Sequence, residues 1–154
     1  MKFAILHLSD IHIKNTENHV FDKVNEIINS IKNKLFDEKF LFIVTTGDIA
    51  NTGNNQEYNE AINFYKKLEE ELAIYLKDLS IKFIFSPGNH DCDFSISNDI
   101  RELVLEKINK DDFEIDNIKK DYISNCVSVQ ENYFNFKSEL EDKSAIYEPL
   151  NSSL

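Results

Sequence analysis

Glycine, proline and cysteine are all scarce in this chain of 154 residues, at three, two and two. So little Gly and Pro excludes collagen-like and low-complexity architectures. Two cysteines, Cys92 and Cys126, cannot build a disulfide framework, and without an export signal they point to a reducing cytoplasm. Tryptophan is absent, and basic residues are outnumbered 17 to 28 by acidic ones, for a net charge of −11. Nucleic-acid binding and docking on anionic membranes both draw on Lys and Arg, so both are disfavoured. No run reaches the ~18 apolar residues of a spanning helix. The start, MKFAILHLSDIHIK, has an early Lys and a short apolar run like a signal peptide. Here His7, Ser9 and Asp10 interrupt the run and no small-residue cleavage site follows, so it reads as a buried first strand. What is present is globular composition, 42% hydrophobic and 29% charged, on a chain long enough to bury a core.

Strand-like and helix-like patterns alternate. Residues 2–9, 41–46 and 81–86 are apolar runs of strand length, unbroken as in strands covered on both faces of a parallel sheet. Between them, Val20, Val24, Ile27, Ile31 and Leu35 mark a helix over 18–36. Tyr58, Ala61, Ile62, Tyr65, Leu68, Leu72, Tyr75, Leu76 and Leu79 mark another over 57–79, with Asn54 or Asn55 as its cap. The order β-α-β-α-β predicts an α/β fold with a parallel sheet and right-handed crossovers. After residue 92 the pattern turns helical. Ser97 is placed to cap a helix through about Lys110. Ile115, Ile118, Tyr122, Cys126, Val129, Tyr133, Phe136 and Leu140 predict one helix over 115–141, its narrow seam suited to the helix of 97–110. The division expected is 1–95, an α/β portion, and 96–154, a helical insertion or cap. The tail EPLNSSL carries no structural signal.

Each expected strand is followed by metal-binding residue types: Asp10-Ile11-His12, Gly47-Asp48, and Gly88-Asn89-His90-Asp91. Ligands of open α/β sheets bind at the carboxyl ends of strands, and one strand–helix unit separates each cluster from the next. All three therefore return to one sheet edge. Asp10 and His12, two apart in extended chain, point the same way. Gly47 and Gly88 free the backbone to turn, and Pro87 fixes the approach to the third loop. Carboxylate, imidazole and amide oxygen together suit Mn²⁺, Fe²⁺ or Zn²⁺. Asp48, in the middle cluster, is the natural bridge of a two-ion pair of the kind that clamps a phosphoryl centre.

These motifs, with HLSDIH, GDIANTG followed by EY, and SPGNHD around them, resemble the calcineurin-like metallophosphoesterase superfamily. They look nearest to its bacterial cyclic-nucleotide phosphodiesterase branch. The resemblance implies an α/β/β/α sandwich that hydrolyses phosphomonoesters or phosphodiesters with a hydroxide bridging two divalent metals. Asp10 and His12 would bind the first metal, Asp48 would bridge, and Asn89 would bind the second. His90 would act near the leaving group, with Asp91 orienting it. The family pattern continues with a further His and a Gly-His-x-His cluster, but the four histidines here are His7, His12, His19 and His90. The expectation is therefore a truncated enzyme, with the missing C-terminal half or a partner chain supplying the remaining ligands. Alone it would hold one metal or none tightly and turn over little.

Other readings stand beside these. His7 reads as a satisfied core histidine, and His19 as exposed near a helix start. Cys92 and Cys126 read as packing residues, Asp93 as a marginal extension of the site, and Glu69–Glu71 and Asp111-Asp112 as solvated surface. A second class of function is a non-catalytic module that binds a partner or itself through the 115–140 seam over a vestigial metal site. Among enzymes, the alternative is a nuclease, against which the acidity counts.

Overall fold

The computed structural model describes residues 2–15, 20–35, 37–75, 79–110 and 120–141. Its three apolar runs are strands: β1 (Phe3–Leu8), β2 (Phe40–Thr46) and β3 (Ser80–Ser86). They form a parallel sheet in the order β1-β2-β3, with Ile5 opposite Phe42 and Val44 opposite Ile84. Helix α1 (Val20–Ile31) and helix α2 (Asn55–Tyr75) are the two crossovers. The fold class is α/β, as the alternation of patterns predicts.

The periodic stripes explain which helix faces are buried. Val24 and Ile28 of α1, and Tyr58, Ala61, Phe64, Tyr65, Leu68 and Leu72 of α2, meet Leu41, Ile43, Phe83 and Phe85 of the sheet in one core. Asn54 caps α2, its side-chain oxygen accepting the Glu57 N–H at 3.0 Å. The first helix ends at Ile31 rather than 36, because the Lys34 N–H turns back to the Ile31 carbonyl at 2.8 Å. Tyr75, expected in the buried stripe, is exposed at the end of α2. His19, Leu76, Ile115, Ile118, Asp111, Asp112 and the tail lie outside the described residues.

Two expectations change. Among the described residues the strands are covered on one face only. Both crossovers step in the same direction across the sheet, so their common hand puts α1 and α2 on one side. The other side presents Phe3, Ile5 and Ile84, exposed by 58%, 61% and 46%. His7 belongs to that open face; it is exposed and bonded to Thr46 Oγ1 at 2.8 Å, not a core histidine.

The single helix expected over 115–141 is instead two helices, α4 (Lys120–Val127) and α5 (Glu131–Leu140), separated by a 3-10 turn, Ser128–Gln130. The break lets one apolar stripe serve two surfaces. α4 packs on α3 (Asp99–Asn109), where the Arg101 Nε–H reaches the Cys126 carbonyl at 3.3 Å. α5 packs on α2, and its Tyr133 and Phe136 enter the main core beside Tyr58, Tyr65 and Phe85. The cap of α3 is Asn98, one residue past Ser97, accepting the Arg101 N–H at 2.9 Å. Cys92 and Cys126 are free thiols.

Candidate metal centre

Three loops leave the carboxyl ends of the strands, and backbone hydrogen bonds zip the first to the second. The N–H groups of His12 and Ile13 donate to the carbonyls of Asp48 and Ile49 at 3.0 and 2.9 Å, and Asn51 N–H returns to Ile13 O at 3.0 Å. Gly47, at φ 85°, turns β2 out of the sheet, and its N–H holds the Ser86 carbonyl of β3 at 2.9 Å. The third loop is threaded through a gap that only glycine fits. A Cβ on Gly88 would stand 2.6 Å from the Asp48 backbone nitrogen and against its carboxylate.

Asp10, His12 and Asp48 adopt the left-handed backbone, with φ 53°, 50° and 55°, and among the described residues no other non-glycine residue does. That conformation costs an L-residue about 1–2 kcal/mol. The zippered loops impose it, and it turns the three side chains together. Each offers one ligand atom, and these atoms lie within 4.8 Å of one another. His12 Nδ1 is buried with no hydrogen-bond partner among the described residues. An orphaned buried imidazole nitrogen is uncommon. One nitrogen of this ring lies with the two carboxylates, where a divalent cation would find a third ligand. The donor set of two oxygens and a nitrogen fits the borderline ions expected from the sequence.

Asn89 is exposed in the turn that follows Gly88. His90 follows it; its backbone N–H donates to Asp48 Oδ1 at 3.0 Å, and its ring stands edge-on to the His12 ring at 4.7 Å. The expected His90–Asp91 pairing is replaced by another arrangement. His90 Nδ1 lies 2.7 Å from the Asn51 carbonyl oxygen, which only accepts, so Nδ1 carries the proton and Nε2 is left for the site. Asp91, fully buried, accepts instead from Ile49 N–H and Ala50 N–H at 3.0 Å, Gly88 N–H at 2.8 Å and the Tyr58 hydroxyl at 3.0 Å. It rivets the second loop to the third. Burial, and then the Asp91 carboxylate beside it, pushes the Tyr58 phenol far above its ordinary range.

Sequence reasoning missed Asn51, whose contribution is a main-chain oxygen without a residue-type signature. It noted Glu57-Tyr58 in the text that carries the resemblance and placed Tyr58 in the apolar stripe of the second helix, but gave neither a role in the site. Asp93 serves structure: its backbone N–H bonds the Val129 carbonyl at 2.7 Å and its carboxylate caps the turn at Phe94–Ile96.

Three loops at the carboxyl ends of parallel strands, gathering Asp10, His12 and Asp48, define an α/β fold with a candidate metal site at one sheet edge. The family model for calcineurin-like phosphoesterases matches residues 3–150, and the chain belongs to that family. The match continues through α3, α4 and α5, well past residue 92 where the motifs end. An uncharacterized protein of Acanthamoeba polyphaga mimivirus is 32% identical over 102 residues, covering 61% of this chain and 7% of that protein. The chain thus spans a small fraction of that relative's length.

Proposed function

We propose that this chain carries the N-terminal part of a phosphoesterase site, in which Asp10, His12 and Asp48 hold one divalent cation and Asp48 with Asn89 begins a second position. The gathering of three strained donors around an unpartnered buried imidazole nitrogen carries this reading. Bound there, divalent cations would neutralise phosphoryl oxygens and lower the pKa of water toward neutrality. His90, with Nδ1 tied to the Asn51 carbonyl, presents Nε2, which would take a proton from water to give the imidazolium and pass it to the leaving oxygen of a phosphoester. Asp91 keeps the second and third loops in register. The segment from residue 96 acts as an insertion or cap on this site, anchored through α5. No histidine follows His90 in this sequence, so the histidine ligands that the family resemblance calls for would be supplied by another segment or a partner chain. A reducing, cytoplasmic setting suits the two free thiols.

The test is hydrolysis of an aryl phosphodiester and an aryl phosphomonoester with added Mn²⁺. It compares this chain, the product of the full open reading frame, and Asp48→Asn in each. The isolated chain should bind one ion weakly and turn over little, the full product should be active, and Asp48→Asn should abolish activity. Turnover unaffected by Asp48→Asn would overturn the proposal.

A second reading, a non-catalytic interaction module, draws on the apolar residues that α3 and α4 leave exposed: Ile100, Leu103, Ile108, Ile123 and Val127. A full product that binds no metal yet retains a partner through α3 and α4 would favour it.

A further inference from the structure

Glu57 is a carboxylate only 3% exposed, in the first turn of α2, and it makes no contact with the donor cluster. Its burial demands partners. Three donors converge on Oε2: Thr52 N–H at 2.7 Å, Asn51 N–H at 3.1 Å and the Thr52 hydroxyl at 3.1 Å. In an ordinary capping box the acidic residue of the first turn reaches back to the N–H of the cap itself. Here the cap is Asn54, and Glu57 reaches past it to hold residues 51 and 52. The carbonyl of Asn51 is the oxygen that accepts His90 Nδ1–H at 2.7 Å. Asn51 N–H is shared between Glu57 and the Ile13 carbonyl, so the peptide on the other side of Asn51 is tied to the first loop as well.

We propose that Glu57 is a positioning residue for His90: by pinning the Asn51–Thr52 segment it aims the Asn51 carbonyl at Nδ1 and so holds the imidazole in its Nδ1–H form, with Nε2 directed to the site. The functional meaning of this relay rests on the role of His90 proposed above, but the relay itself is a property of the resting, metal-free chain. Without it the ring reverts toward the Nε2–H tautomer that a free imidazole side chain prefers, and Nε2 meets the site as a donor where it had been an acceptor.

The test is the ring ¹⁵N spectrum of His90 in the metal-free chain, at a pH where the ring is neutral, with folding checked by circular dichroism. The unmodified chain should show the Nδ1–H tautomer. Glu57→Ala should shift the tautomer ratio toward Nε2–H by roughly fivefold to tenfold, the size of one net hydrogen bond. Glu57→Asp, whose oxygens are withdrawn by one methylene, should shift it in the same sense, and decides the matter if Glu57→Ala does not fold. Glu57→Gln, whose amide oxygen can take the same three donors, should keep the wild-type ratio. An Nε2–H ring in the unmodified chain overturns the proposal. So does an unchanged ratio in the folded Ala or Asp variant, or a Gln variant that behaves as Ala does. The ring readout needs no turnover, so a failed hydrolase reading would leave it measurable and separately decided.

Discussion

Asp10, His12 and Asp48 are all held in the left-handed backbone, with one ligand atom of each within 4.8 Å of the others. The two carboxylates repel each other, each offset in part by one donor, the Ser9 hydroxyl on Asp10 and the His90 N–H on Asp48. Asp10→Asn keeps shape and backbone tolerance but removes one charge. It should raise the melting temperature of the metal-free chain by about 2–4 °C, the equivalent of roughly 1 kcal/mol at this size. It should also erase the stabilisation that Mn²⁺ gives the wild type. Equal Mn²⁺-induced shifts in both proteins would show that the cluster is not the binding site. Two tyrosines make a second comparison. Tyr133 Oη is buried without a partner among the described residues, whereas Tyr58 Oη donates to Asp91. Tyr133→Phe should be neutral or stabilising by up to about 1 kcal/mol, and Tyr58→Phe destabilising by about 1–2 kcal/mol. Urea midpoints at unchanged slope would measure both. At this scale the donors were legible, because Asp and His at strand ends announce their chemistry. The partners of His90 and Asp91 were not. Backbone N–H and C=O groups look alike at every position, and only the loop path decides which one a side chain meets.

Elements were legible where one face alone decides them. The strands start within a residue or two of their expected places, and α2 buries the stripe its spacing describes up to Leu72. The 115–141 stripe misled because its period survives the 3-10 turn at Ser128–Gln130. Spacing reports which residues are apolar on one side, not whether the axis beneath them is continuous. The consequence of α5 turning inward is a core rich in tyrosine, with Tyr58 and Tyr65 on α2 and Tyr133 on α5. Burial is the first cause that raises all three phenols above their ordinary value of 10.0, and the negative charges of Asp91 and Glu141 add to it, although the Thr45 hydrogen bond partly opposes the rise at Tyr65. The folded chain keeps three protons that the unfolded chain releases near pH 10, so unfolding releases protons and stability falls as pH climbs past that value. Below it these groups contribute no pH dependence. Phenolate absorbance of the three should therefore appear only together with loss of the circular dichroism signal. Full ionisation of all six tyrosines in a chain that remains folded would contradict the packing of α5 against α2.

For the whole molecule, the decisive fact is that a sheet with helices on one side has a second side. Continuous apolar strands led to the expectation that both faces would be covered, and among the described residues only one face is. What covers the second face could not be read from these strands, because a buried face carries no label for its neighbour. Among the described residues nothing shields Phe3, Ile5 and Ile84, and Phe3 packs edge-on to Phe42, 6.0 Å away, to extend the patch across the strands. A contiguous apolar surface of this kind drives association. The net charge of −11 opposes it by keeping copies apart. Salt shortens that repulsion to about 10 Å at 0.1 M and about 3 Å at 1 M, while leaving the apolar attraction in place. The isolated chain should therefore sediment as a monomer in low salt and as larger species as salt rises, the reverse of a charge-driven complex. The double variant Ile5→Lys, Ile84→Lys, with both changes on the open face and away from the three loops, should remain monomeric throughout and bind Mn²⁺ as the parent does. Sedimentation velocity across a salt series makes the comparison. A parent chain that stays monomeric at every salt concentration would mean that this face is covered within the 154 residues.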